Sequence, residues 1–134
     1  MTHCTHIKVR GYHLDMYGHV NNARYLEFFE EARWCFIEET INLREWEKQG
    51  YAFLVVNINI NYRLPALLDQ ILAIQCSVTK IGRKSATIHQ KMFIKDTKKV
   101  IADADVTFVV IDMKTQKALT IDKKLRTILE NFQK

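Results

Sequence analysis

Between Val56 and Leu64 the chain alternates without a break: Val56, Ile58, Ile60, Tyr62 and Leu64 are apolar, and Asn57, Asn59, Asn61 and Arg63 separate them. A period of two is that of a β-strand with one dry face and one wet face. Three further runs repeat it: Leu72, Ile74, Cys76 and Val78; Ala86, Ile88, Gln90, Met92 and Ile94; Ala102, Ala104, Val106, Phe108 and Val110. The turn at Gly82-Arg83-Lys84 and the polar turn at residues 96–99 are short. They call for mostly antiparallel pairing, because parallel neighbours need a crossover of about a dozen residues or more. Near the start, Ile7 and Val9 against Lys8 and Arg10 predict a first strand over residues 6–12.

From Ala23 to about Thr40 the period becomes helical. Tyr25, Phe29, Ala32 and Phe36 share one face, Phe28 and Cys35 widen it, and Arg24, Glu27, Glu31 and Glu38 lie opposite. Asn21 or Asn22 is placed to cap this helix with a side-chain oxygen. A short helix is expected over residues 43–48, stopped by Gly50, and a terminal one over 122–132 from Leu125, Ile128, Leu129 and Phe132. The order strand, long helix, four strands, helix defines an α+β domain whose antiparallel sheet buries one dominant helix. One helix leaves the second sheet face and the edges uncovered, so a homo-oligomer is expected.

At 134 residues with 48% hydrophobic content, one domain spanning residues 1–134 is expected to bury a core without staples. Pro65 is the only proline, and no linker, repeat or low-complexity tract divides the chain. The three cysteines, Cys4, Cys35 and Cys76, are odd in number and far apart, which argues against a disulfide framework. Cys35 and Cys76 read as core residues. The first residues lack the apolar centre of a signal peptide, and no run is long enough to span a bilayer, so a cytoplasmic soluble protein is expected. The net charge of +5 is spread along the chain, without the basic patch and stacking aromatics of a nucleic-acid binder. Phosphates of a small ligand would use it equally well.

Candidate chemistry concentrates in Asp15-Met16-Tyr17-Gly18-His19-Val20-Asn21-Asn22, just ahead of the long helix. A carboxylate there lies beside backbone N–H groups that have no partner within the helix, so an acid and an oxyanion site can share one pocket. Asp before a helix is equally at home as a turn or capping acid. Gly18 serves either a close approach of backbone to substrate or a positive φ. His19 could orient Asp15, bind substrate, donate a proton to a leaving group, or be structural. His3, Cys4 and His6 lie close together, but a mobile terminus accounts for them better than a metal site, and no second ligand cluster appears.

Asp15 with Gly18 three residues on, the Asn-rich approach to Tyr25, the segment Tyr62-Arg63-Leu64-Pro65-Ala66 and the late Asp112-Met113-Lys114-Thr115-Gln116-Lys117 turn together resemble one family. It is the 4-hydroxybenzoyl-CoA thioesterase type of the hot-dog superfamily, which includes the small bacterial acyl-CoA thioesterases associated with the Tol-Pal system. The resemblance covers nearly the whole chain. It implies a helix wrapped by a curved antiparallel sheet, dimers or tetramers with active sites at subunit interfaces, and hydrolysis of an acyl-CoA or aryl-CoA thioester without cofactor or metal.

Residue by residue, Asp15 matches the family's catalytic acid, acting as nucleophile or as general base on water. Asn22 falls where the family supplies a main-chain N–H to polarise the carbonyl. Arg83, Lys84 and Ser85 match a basic, serine-containing turn that contacts CoA phosphates; read alone they are a solvated hairpin turn. Arg63 is a further candidate anion contact. The wording Gly18-His19-Val20-Asn21-Asn22 also resembles plant acyl-carrier-protein thioesterases, where the histidine is catalytic, but Tyr17 stands where that pattern has asparagine.

Two alternatives remain beside hydrolysis. A hot-dog hydratase is disfavoured by Tyr17 and Val20, which occupy the Asn and His positions of Asp-x-Asn-x-x-His. A non-catalytic acyl-CoA-binding module would keep the fold, but has no need of Asp15. The acyl group and the choice between CoA and acyl carrier protein are left open.

Overall fold

Each alternating run becomes a strand of one antiparallel sheet. A computed structural model describes residues 2–133. Its strands are β1 (His3–Lys8), β2 (Tyr51–Tyr62), β3 (Ile71–Ile81), β4 (Ser85–Ile94), β5 (Val100–Asp112) and the short β6 (Ala118–Leu119). The order across the sheet is β1-β3-β4-β5-β2, with β6 added to β5. The long helix α1 (Asn22–Thr40) is followed by α2 (Leu43–Gln49), and α3 (Lys123–Asn131) ends the chain.

Tyr25, Phe28, Phe29, Ala32 and Phe36 of α1 are buried, as are Leu72, Ile74, Cys76 and Val78 of β3. The apolar sets of β4 and β5, Ala86, Ile88 and Met92 with Ala102, Ala104, Val106, Phe108 and Val110, complete the same core. Gln90 is the exception, fully buried though polar. Its Nε2 donates to the Phe29 carbonyl at 2.9 Å and to Cys76 Sγ at 3.2 Å, and its Oε1 accepts from the Arg33 guanidinium at 3.0 Å. A buried amide is tolerated because each end has a partner.

Three expectations change. The first strand lies earlier than residues 6–12: pairing runs from His3↔Cys76 to Lys8↔Ile71, and Gly11–His13 forms a 3-10 turn. The backbone N–H of Arg10 donates to His13 Nδ1 at 2.8 Å, which turns the chain where alternation alone would continue it. Because β1 starts at His3, that segment is an edge strand and not a mobile terminus; His3 is buried and bonds Glu39 at 2.6 Å. The third change concerns β2. Its apolar face is not dry: Val55 is 40% exposed, Ile58 40% and Tyr62 48%, and Val56, 54% exposed, falls at a register break between Val55 and Asn57. The reason is position, since β2 is the last strand of the sheet while α1 packs over β1 and β3.

Candidate active site

The segment 14–20 folds into a tight hairpin closed by a Leu14↔Val20 bridge. Asp15 N donates to the His19 carbonyl at 2.8 Å and Gly18 N to the Asp15 carbonyl at 3.1 Å. Gly18 adopts φ 76°, where a side chain is strained, although a Cβ there would meet nothing within 4 Å. Within the chain it is conformation, not space, that calls for glycine. The half-buried Asp15 accepts from Tyr17 N at 2.9 Å and His19 N at 3.4 Å, both through Oδ1. One carboxylate oxygen is thus held, and the other, Oδ2, has no hydrogen-bond partner among the described residues.

The hairpin delivers the chain to α1 through three bonds. Val20 N donates to the Ala66 carbonyl at 3.0 Å and Asn21 N to the His13 carbonyl at 2.9 Å. The side chain of Asn21, the N-cap, accepts from Ala23 N at 2.9 Å. Asn21 therefore takes the cap, and Asn22 is the first helical residue. Its backbone N–H has no acceptor among the described residues, as befits a first-turn donor at the positive end of a 19-residue helix. The imidazole of His19 is exposed and makes no hydrogen bond among those residues; its main chain, not its ring, holds Asp15.

Two tyrosines that periodicity reads as merely apolar fasten this helix start. Tyr62, at the end of β2, donates its hydroxyl to the Asn22 carbonyl at 3.0 Å. Tyr25, in the first turn of α1, accepts from Ala66 N at 3.0 Å, and the two rings meet edge to face at 5.3 Å. Burial raises the Tyr25 phenol above the usual tyrosine range, with Tyr62 and Asp15 nearby adding to the shift. The signal in the sequence was tyrosine in place of phenylalanine, an apolar body with a polar tip that needs a partner.

Arg63 follows Tyr62 and so lies at this end of the sheet, exposed and paired with Asp103. Asp103 is held below the usual carboxylate range, first by its hydrogen bond from Arg63. The turn carrying Arg83, Lys84 and Ser85 is elsewhere. The Asp15 hairpin adjoins the segment before β3, where His19 bridges Leu67, whereas the basic turn follows the far end of that strand. At about 3.3 Å per residue the 11-residue β3 separates them by roughly 30 Å. The turn packs instead by α3, with Ile121 N on the Arg83 carbonyl at 2.8 Å and Arg126 on the Gly82 carbonyl at 2.8 Å. One chain brings together Asp15, Gly18, His19 and Asn22, but not Arg63, whose guanidinium pairs with Asp103 beside Asn61 on the other face of the sheet from Tyr62, nor Arg83, Lys84 and Ser85.

Between α1, α2 and the exposed side of β2 lies an open, mostly apolar groove of about 670 Å³, walled by Trp34, Ile37, Trp46, Phe53, Ile58 and Met113. Trp46 stacks on Phe53 at 4.7 Å. Tyr62 touches Asn22 at the end of β2, and Ile58, four residues earlier in that strand, lines the groove. Among the described residues, no three His, Cys, Asp or Glu side chains gather as a metal site requires, and no helix is long and apolar enough to cross a membrane.

A curved antiparallel sheet against one long helix, with an acid on the hairpin that leads into the helix start, defines a hot-dog thioesterase. The sequence profile of the Thioesterase-like superfamily matches residues 9–129, and the chain belongs to that family. It is 51% identical over 130 residues to the long-chain acyl-CoA thioesterase FadM of Escherichia coli K12, covering 97% of this chain and 98% of that protein. To the acyl-CoA thioesterase YbgC of Haemophilus influenzae it is 29% identical over 122 residues, 89% of this chain and 88% of that one. Among solved structures, the probable thioesterase YbaW of E. coli superposes with a TM-score of 0.87 at 50% identity, over 96% of this chain and 97% of that one.

Proposed function

We propose that this hot-dog thioesterase hydrolyses long-chain acyl-CoA esters to the free acid and CoA, with Asp15 and the Asn22 N–H as its reacting groups. The observation that carries the reading is the half-free Asp15 carboxylate on a hairpin that leads into a helix whose first N–H is unused. With the thioester carbonyl oxygen on the Asn22 N–H, charge that develops in the tetrahedral intermediate meets a fixed donor and the helix dipole. Asp15 either adds to the carbonyl carbon, giving a mixed anhydride that water then opens, or takes a proton from the water that adds. In both routes the C–S bond breaks, CoA leaves as thiolate and takes up a proton, and Asp15 ends ionised. Gly18 sets the hairpin, and His19 serves through its main chain.

The acyl chain lies along the α1/β2 seam into the apolar groove. From Asn22 to Trp34 the helix advances about 18 Å. An extended chain covers roughly 1.2 Å per bond, so about 15 bonds fit before the tryptophan wall. That capacity suits a long acyl group, the kind named for FadM.

The active unit is a homodimer or homotetramer. Support comes from the edge strand β2, whose exposed Leu54, Val55, Val56 and Ile58 ask for a partner, and from the separation of Asp15 from the basic turn. Arg83, Lys84 and Ser85 of a second subunit would then hold the CoA phosphates, with Arg63, paired with Asp103, as a further anion contact. Acyl carrier protein is the alternative carrier. The test is thiol release from a series of CoA esters from butyryl to stearoyl, together with palmitoyl acyl carrier protein. The expected result is highest kcat/KM for long-chain CoA esters; no thiol release from any of them would refute it.

A further inference from the structure

We infer that Tyr62 is a positioning residue for this reaction, holding the Asn22 N–H where the thioester carbonyl must dock; the inference rests on the proposed role of that N–H. The first turn of a helix is where backbone order is weakest, because its N–H groups lack i−4 partners and its residues fray. Here the surrounding donors are each tied down: Ala23 N to the Asn21 side chain, Arg24 N to the Asn21 carbonyl and Asn21 N to the His13 carbonyl. The Asn22 N–H itself has no acceptor among the described residues; its peptide, shared with the Asn21 carbonyl, is held by Arg24 N, and the peptide on the other side of Asn22 is held through the Asn22 carbonyl, which accepts the Tyr62 hydroxyl at 3.0 Å.

Tyr62 is itself fixed. It ends β2 opposite Ala102, and the next two residues, Arg63 and Leu64, both donate their backbone N–H to the Ile101 carbonyl, at 2.9 and 3.1 Å. Its ring meets Tyr25 edge to face, and Tyr25 is anchored in turn by Ala66 N. The hydroxyl therefore transmits the rigidity of the sheet to the Asn22–Ala23 peptide, which meets the peptide bearing the Asn22 N–H at the Asn22 Cα. Tyr62 is 48% exposed, so its contribution is poorly explained as core packing. A donor fixed before the reaction needs no reorganisation when charge appears, and a displacement of about 1 Å at such a group costs up to about 100-fold in rate.

Tyr62→Phe keeps the ring and its contact with Tyr25 and removes only the hydroxyl. The expected result is a fall in kcat of about 10- to 100-fold with KM unchanged. In an Asp15→Asn background, the Kd for palmitoyl-CoA should be the same with and without the added Tyr62→Phe change, because ground-state binding does not depend on this bond. Thermal unfolding of Tyr62→Phe checks that the fold persists, and a Tyr62→Leu variant, which also loses the ring, should be no faster than Tyr62→Phe. A kcat within twofold of wild type would overturn the inference, as would a loss confined to KM. If Asp15→Asn is inactive while Tyr62→Phe is normal, only the positioning role falls; if Asp15→Asn is fully active, the proposed chemistry falls first.

Discussion

Gln90 is the one uncharged amide buried at the centre of the core, and replacing it with methionine isolates what its hydrogen bonds contribute. The two side chains are close in length and volume, so little cavity or overpacking accompanies the change. Of the three bonds lost, the one from the Arg33 guanidinium at 3.0 Å is charge-assisted and dominates. The Phe29 carbonyl lies within α1 and keeps its helical partner, and the bond to Cys76 Sγ is weak. Arg33 is half-buried and would be left unpartnered, with burial already pulling its pKa below the arginine norm. Because it can turn toward the open groove and water, the cost should sit at the low end for a charged bond, about 2 kcal/mol.

For 134 residues the unfolding entropy is roughly 0.28 kcal/mol/K, so Tm should drop by about 7 °C. Differential scanning calorimetry and urea unfolding measure this. Replacing Arg33 with methionine as well should cost less than the two single changes together, since no unpaired guanidinium remains. A Gln90→Met protein within about 0.5 kcal/mol of wild type would show that the Arg33 bond contributes nothing.

His13 should make the protein sensitive to mild acid. Burial, and then the positive charge of Arg24, lower its pKa; Glu27 opposes them weakly and Arg10 adds to them. The neutral ring is the folded form, and protonation at Nδ1 would break the bond from Arg10 N. Stability should be fully present above about pH 6.5 and decline as pH falls through the depressed folded pKa. His13→Asn, which retains an acceptor, should decline less in urea titrations across that range; equal slopes would contradict this. Thiol labelling should separate the cysteines, with exposed Cys4 reacting in the native protein. Cys76, fully buried with its thiol pushed up to about 11, should react only on unfolding. If the proposed oligomer forms through β2, Ile58→Lys on its open side should give a monomer in analytical ultracentrifugation; an oligomer of unchanged size would move the interface elsewhere.

Periodicity located most of the fold because β4 and β5 alternate a buried face with a wetter one, a contrast written directly in their sequences; in β3 it is weaker, since Ala73 and Ser77 on the opposite face are buried as well. It misjudged β2 for the same reason. Val56 and Ile58 alternate in the sequence as core residues do, yet Val56 falls at a register break and Ile58 is left open, and a pattern records that a face is apolar without saying what lies on it. The helix register was legible from Tyr25, Phe29, Ala32 and Phe36, while the choice of Asn21 over Asn22 as cap turned on a single side-chain bond. For the candidate site, Asp15 and Gly18 were legible through their resemblance to the family's motif, while locally Asp15 could equally be a turn acid. The tyrosine clamp was not, since Tyr62 and Asn22 are 40 residues apart and meet only when β2 returns beside the helix start. The basic turn was read correctly as a turn, but its distance from Asp15 depends on the length of β3 and on strand order.

Asp15→Asn tests the central claim most directly. The amide keeps Oδ1 as acceptor for Tyr17 N and His19 N, so the hairpin should stand while the charge is lost. With palmitoyl-CoA, kcat for thiol release should fall by about 100- to 10,000-fold or more, with circular dichroism and Tm close to wild type. Comparable rates from two well-folded proteins would contradict the assignment of Asp15 as the reacting acid.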